Sequence, residues 1–423
     1  MRLLIIILML GVMPMTALAQ ETVTLSLVEV LQQASRSNPS LLMSQERVSM
    51  AIARLGQARS ELLPQLTGSI AGSRQVRDLR TSGMSLPGVG PNIGPYNAYD
   101  ARVKLTMDLF NPSALKRLAA AKLAKEASVS QMDKSKQDIL ALAANLYLEA
   151  KRNYQSLYVA TQVLAYQQAV FNKAQVSFKQ GLINDVELAF EQANLDQVKF
   201  LCKQAQANST QSRLDLLAFL GIDGDRTIIY KKDALIKTAE DALESPQVRV
   251  AQADVLTAQA QTAAVKAGLL PQITGIADFG LAGRDFNHDS RIYTVGLQAT
   301  IPFWQGGLTQ EQINEARAKE KELSLALDDI KRKVNNDKQT SRAIIEKSKG
   351  LLQFRYSQLK AQRKSFVMTQ RRVEQGLDDD IMLKQGMVQR LQAYDDFQEA
   401  LALYQMAYIA LAHAQGNIER FLK

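Results

Sequence analysis

The residues of this chain best suited to chemistry are five carboxylates that follow two Gly-Leu pairs. Asp185 and Glu187 come after Gly181-Leu182, and Asp378, Asp379 and Asp380 come after Gly376-Leu377. Carboxylates just past a turn have two uses. They can cap the returning helix, whose N-terminal end carries partial positive charge. Gathered by several copies of a chain around an opening, they can also form an acidic ring that favours cations and gates electrostatically. The two uses are compatible. Other chemistry is poorly supported. The chain has two histidines, His288 and His413, and one cysteine, Cys202, none with partners at ligand spacing. No metal site and no nucleophile–base pair is therefore expected. His288 is expected in a surface loop and His413 near a helix end, both in ordinary roles. No Gly-rich phosphate loop with its lysine occurs, so neither a cofactor nor a nucleotide-driven step is expected. The chain is therefore not expected to be an enzyme, and no catalytic residues are expected.

The elements that must carry these carboxylates are written twice. Leu62-Leu63-Pro64-Gln65-Leu66-Thr67-Gly68 returns as Leu269-Leu270-Pro271-Gln272-Ile273-Thr274-Gly275, an offset of 207, and over Asn38 to Ile70 laid on Ser245 to Ala277, 11 of 33 positions are identical. Later the offset is 195, where Gln180-Gly181-Leu182 matches Gln375-Gly376-Leu377 and Gly221 matches Gly416. Such self-similarity signals two copies of one folding unit. The expected division is a signal peptide over 1–19, a first repeat over 20–232 and a second over 233–423.

Proline and glycine mark the boundaries. Ser113 to Gln180 is 68 residues without either, and Leu308 to Gln375 is another 68 broken only by Gly350. A helix that long runs about 100 Å. Ala150, Leu157, Leu164, Phe171 and Phe178 recur every seven residues, as do Ile345, Leu352, Leu359, Phe366 and Val373. That spacing is the seam of helices supercoiled on helices. Each Gly-Leu pair then turns an antiparallel helical hairpin, ending near Gly221 and Gly416. Ser26-Leu27-Val28-Glu29 is a capping box and Asn111-Pro112 a helix start. Further helices are expected from Leu25 to about Leu63 and from Asp233 to about Leu270, interrupted at Asn38-Pro39 and Ser245-Pro246.

Between Pro64 and Pro112 the period changes to two. Ala101, Val103, Leu105, Met107 and Leu109 alternate with Asp100, Arg102, Lys104, Thr106 and Asp108. Tyr293, Val295, Leu297, Ala299 and Ile301 alternate with Thr294, Gly296, Gln298 and Thr300. Partner strands are expected over about 65–76 and 272–282, with turns through Gly83–Pro95 and Gly283–Arg291. Strands of about ten residues with one apolar and one charged face suit a tilted membrane strand, although the half-buried strand of a soluble sheet has the same pattern. Tyr99 and Tyr293 near one end, with Phe110, Phe303 and Trp304 near the other, form a candidate aromatic girdle. Asp100, Arg102, Lys104 and Asp108 would then line a lumen. Four strands cannot close a barrel, and open edges are not tolerated in lipid, so copies must associate.

The N-terminus agrees with export. Met1-Arg2, the apolar run Leu3–Val12 and Ala17-Leu18-Ala19 read as a signal peptide rather than an anchor, the run being shorter than the ~20 residues of a spanning helix. The net charge of +9 arises from 51 basic and 42 acidic residues that read as interspersed, which argues against a nucleic-acid partner.

In order, spacing and duplication these features resemble the TolC-like outer-membrane efflux proteins over essentially the whole mature chain. The residues that carry the resemblance are Leu25–Val30 with Asn38-Pro39, the Leu-Leu-Pro-Gln pairs at 62 and 269, Ile301–Gly307, and the two Gly-Leu turns. The resemblance implies a mainly α fold with a transmembrane β-barrel portion. Three chains would share a 12-strand barrel continued by a periplasmic α-helical tunnel, in the outer membrane of a Gram-negative bacterium. It implies a passive exit duct of a tripartite efflux or type I secretion system. The tips at Gly181, Leu182, Gly376 and Leu377 would meet a periplasmic adaptor and an inner-membrane pump of RND, ABC or MFS type. The family's tip motif usually places Asp six residues after the glycine; Glu187 and Met382 stand there in this chain. The other reading of the same helices is a periplasmic coiled-coil adaptor with no channel.

Overall fold

The computed structural model describes residues 22–78, 92–231, 244–283 and 289–422. The expected signal peptide, His288 and most of both hairpin turns lie outside these residues. The chain runs β1 (Thr22–Leu25), α1 (Leu27–Ser37), α2 (Pro39–Ser60), β2 (Gln65–Asp78), β3 (Asn92–Phe110), α3 (Pro112–Lys179) and α4 (Asp185–Phe219). It continues β4 (Thr227–Tyr230), α5 (Pro246–Ala267), β5 (Gln272–Gly283), β6 (Asp289–Thr300), α6 (Leu308–Glu374), α7 (Asp380–Gln415) and a short 3-10 helix, Ile418–Leu422.

The two long helices form where proline and glycine are absent. Asn111 caps α3 by accepting the Ala114 N–H at 3.0 Å, and Pro112 takes the first turn, where its missing N–H costs nothing. The other two helical columns are each made of two pieces set end to end. The C-terminus of α4 meets the start of α2: Asn38 Nδ2 donates to the Phe219 carbonyl at 3.1 Å and Ser37 Oγ to the Leu220 carbonyl at 2.9 Å. In the same way the end of α7 meets the start of α5, with Gly416 against Pro246. In the half of the wall nearer the sheet, α3 lies beside α2 and α5, and α5 beside α6. In the other half the neighbours run α4, α3, α7, α6. The wall is one helix thick, and α6 is one of its edges.

The seven-residue seams lie at these contacts. Ala150, Phe171, Ile345 and Leu359 are buried; Leu157, Leu164, Leu352, Phe366 and Val373 are half-buried; Phe178 is exposed. The main core sits at mid-height, where α1, α3, the end of α4 and the C-terminal 3-10 helix enclose Val30, Leu31, Leu140, Tyr147, Leu216 and Leu220.

That core contains an element the sequence reading lacked. β1 and β4 pair in parallel, Thr22 opposite Thr227 through Leu25 opposite Tyr230. Leu25 is therefore in a strand and the first helix starts at Leu27, after the Ser26–Glu29 capping box. A four-residue strand is too short for its period to show. Two turn boundaries also move: Pro95 lies inside β3, which starts at Asn92, and Arg291 inside β6. Ile301 falls just beyond β6, which ends at Thr300. The helix expected from Asp233 starts at Pro246; 232–243 lie outside the described residues.

The four longer strands form one antiparallel sheet in the order β2-β3-β5-β6. Among the described residues β2 and β6 are edges with one unpaired side each.

Candidate functional site

The sheet has two chemically different faces, which follow from its register. Val103 is opposite Gly68 and Phe279, and Phe279 opposite Tyr293; Leu105 is opposite Leu66 and Ala277, and Ala277 opposite Val295. This face is bare: Ile70 is 90% exposed, Val295 79% and Leu297 74%. An apolar sheet face of that size left open needs a non-aqueous neighbour. The other face carries Thr67, Lys104, Asp278 and Thr294 in one row, and Ser69 and Arg102 in the next. Arg102 holds both carboxylate oxygens of Asp100, Nε donating to Oδ1 at 2.7 Å and Nη2 to Oδ2 at 2.6 Å. Asp108 accepts from Asn111 Nδ2 at 2.7 Å, Thr274 Oγ1 at 2.9 Å and Gln272 Nε2 at 3.1 Å. All four candidate lumen residues, Asp100, Arg102, Lys104 and Asp108, thus share one polar face.

The aromatic candidates are spread along this sheet. Phe303 and Trp304 lie in the link between β6 and α6, 91% and 85% exposed, and Phe110 ends β3 beside a bulge. Tyr293 is exposed in the row of Val103, further toward the other end, and Tyr99 is half-buried there, opposite Gly72 and Gly283. Among the described residues no helix is long and apolar enough to cross a membrane.

At the opposite end of the helices sit the two Gly-Leu turns. Gly181 and Gly376 have φ of 71° and 72°, a conformation cheap only for glycine. Leu182 and Leu377 are 71% and 65% exposed. The carboxylates beside them are mostly engaged. Asn184 and Glu187 form a capping box at the start of α4, with Asp185 in its first turn. Asp379 caps α7, accepting the Met382 N–H at 2.9 Å, and also takes Lys173 Nζ at 2.6 Å. The Lys173 hydrogen bond, then the Met382 N–H, hold the Asp379 carboxyl below its ordinary range. Asp378 is gripped by Arg372, Nε to Oδ2 at 2.7 Å, and Asp380 by Lys384 at 2.8 Å.

Three of the five tip acids expected from the sequence are therefore paired within one chain, by Lys173, Arg372 and Lys384, cations that lie outside the expected site. Arg372 was legible as a basic residue in the last turn before an acidic loop. Lys173 was not, because its partner lies 206 residues away. His413 is not isolated either: its Nε2 lies 2.6 Å from Asp138 Oδ1 on α3.

The family model described as outer membrane efflux protein matches residues 30–222 and 239–417. Among solved structures, the chain is similar to the CmeC outer membrane channel of Campylobacter jejuni, with 15% identity and a TM-score of 0.79, covering 92% of this chain and 85% of that one. It is similar to VceC of Vibrio cholerae at 16% identity and a TM-score of 0.77, covering 92% and 96%. It is also similar to the open state of the MtrE channel of Neisseria gonorrhoeae at 18% identity and a TM-score of 0.72, covering 92% and 89%. No curated protein sequence matches the chain. The family match covers most of both halves, and the bare apolar sheet sits at one end of helices 68 and 67 residues long. The chain belongs to the outer membrane efflux protein family and serves as an outer-membrane efflux channel that reaches into the periplasm.

Proposed function

We propose that three copies of this chain close one 12-strand barrel and one helical tunnel, forming the passive exit duct of a tripartite system. The observation that carries this reading is the open sheet. Its edges β2 and β6 leave unpaired backbone groups that lipid does not tolerate, and joining β6 of one copy to β2 of the next removes them. In that assembly Val103, Leu105 and Tyr293 face lipid, and Asp100, Arg102, Lys104 and Asp108 face water. Phe110, Phe303 and Trp304 mark the periplasmic boundary of the bilayer, and Tyr99 the outer one. The chain acts as two repeats, 20–232 and 233–423, so three chains present six similar helical hairpins. Their tips at Gly181, Leu182, Gly376 and Leu377 dock a periplasmic adaptor that joins the duct to an inner-membrane pump. Asp185 and Glu187 are the tip acids left without a cation among the described residues, and they set the charge at the entrance.

Inter-chain disulfides test the closure. Cysteine at Thr67, Ser69 or Ala71 of β2, combined in turn with cysteine at Thr294 of β6 in a Cys202→Ser background, should give a covalent trimer in at least one pairing. Only monomers in every pairing would contradict the shared barrel.

A further inference from the structure

The chain-wide balance of charge hides a local excess. From Lys331 to Arg372, α6 holds thirteen lysines and arginines against two acids, Asp337 and Glu346. The repeat-related stretch of α3, 136–177, holds four against two. Thirteen of the chain's 51 basic residues thus lie in this one stretch, where the interspersion with acids seen over the whole chain does not hold. Within the chain few are answered: Arg355 pairs with Asp396 at 2.8 Å, Arg372 with Asp378 at 2.7 Å and Arg332 with Asp329 at 3.5 Å. Arg342, Lys349 and Arg363 are exposed and have no ion pair among the described residues. With Tyr356, which is 57% exposed, they recur every seven residues. On a supercoiled helix that spacing makes one straight line, about 30 Å long.

The side of the wall on which this line lies follows from α7. Tyr394, Gln398 and Leu401 of α7 border a cavity with Tyr230 and Lys231, so that side of α7 faces the β1–β4 sheet. Asp396 points to the other side, since successive helical residues are about 100° apart, and it is Asp396 that binds Arg355. Phe397, between the two directions, meets Tyr356 with ring centroids 5.9 Å apart. Tyr356 is therefore turned toward the sheet side of the wall, and its seven-residue companions with it. Three copies of β1–β4 with α1 would obstruct a duct from inside, so the sheet side is the periplasmic exterior. This step rests on the duct reading above.

We propose that Arg342, Lys349, Tyr356 and Arg363 dock a partner helix bearing acidic residues at seven-residue spacing, laid along the outside of α6. Each exposed ion pair is weak, but a matched row of them fixes register and speeds encounter. Tyr356 adds a flat apolar contact in the middle of the row.

Purified channel in detergent tests this with two synthetic helical-hairpin peptides of equal net charge. One carries glutamate at every seventh outward position, and the other carries the same glutamates irregularly spaced. Fluorescence anisotropy should show the regular peptide binding at least about tenfold more tightly, as register-matched charges require. Arg342→Glu, Lys349→Glu and Arg363→Glu together should erase the difference, and the corresponding glutamine set serves if reversal disturbs assembly. Equal affinity for the two peptides would overturn the proposal, because diffuse attraction alone would then suffice. So would tighter binding to isolated peptidoglycan, or an altered cation-to-anion permeability ratio in the triple variant, which would put the line in the lumen. A channel that conducts normally but lacks the peptide preference refutes this docking line and leaves the duct reading intact.

Discussion

At the scale of single residues, Asp379 joins two structures that the chain makes 206 residues apart. It caps α7 and binds Lys173 of α3, so it ties the tip of one helical hairpin to the other. Asp379→Asn removes the charge and weakens the tie, and the channel in a planar bilayer should show a higher conductance. The pH dependence has a definite sign. The carboxyl is held below its ordinary value of 3.8, so the contribution of the ionised pair is complete above that value and lost as pH falls through the lower folded one. Wild-type conductance should therefore stay constant through neutral pH and rise only in acid below about pH 4. A rise between pH 6 and 7 would show that another group controls the tip. Gly376 is the second residue of interest. Its φ of 72° makes Gly376→Val cost about 1 kcal/mol. That substitution should reduce export while leaving trimers on native gels. The turn glycines were legible in the sequence because only glycine takes that conformation cheaply. The Lys173 partner was not, since nothing local marks a contact between hairpins.

At the scale of elements, the long helices and the sheet faces were legible because each has a period many residues long. Sixty-eight residues without a breaker leave little else for α3 to be. The β1–β4 pair was invisible for the opposite reason: two four-residue strands, far apart in sequence, show neither period nor neighbour. The end-to-end junctions of helices were half visible, as Asn38-Pro39, Ser245-Pro246, Gly221 and Gly416, but which ends meet is a tertiary fact. Gly416 is constrained twice, by a φ of 70° and by Pro246, whose Cγ would lie 2.8 Å from an added Cβ. Gly416→Ala should therefore push α5 off α7 and lower the temperature at which purified trimer dissociates. A variant that melts with the wild type would show that the junction is not a tight fit. In the seam of α3, Leu164→Asp brings an unpaired carboxylate into a half-buried contact. It should cost about 2 kcal/mol, again read as loss of trimer on native gels. Along β3, cysteines from Ala101 to Leu109 in a Cys202→Ser background should react alternately with a water-soluble thiol reagent, Arg102, Lys104, Thr106 and Asp108 positions reacting. Uniform reaction would contradict the two faces.

At the scale of the whole molecule, a single chain is an incomplete object. Its sheet has two open edges, its apolar face is bare, and its wall of helices ends abruptly at α6. The sequence showed that copies must associate but left their number to the family resemblance, because four strands per chain is compatible with several closed rings. Asp378, Asp379 and Asp380 form ion pairs within the chain, so an acidic ring at the proposed entrance would draw mainly on Asp185 and Glu187. Single-channel recording tests the central claim most directly. Full-length protein extracted from outer membranes with detergent and purified as one species is added to a planar lipid bilayer. The account predicts a trimer by mass that inserts and gives uniform conductance steps without any energy source. A monomeric protein that is freely soluble, or a trimer that adds no current at any voltage, would contradict it.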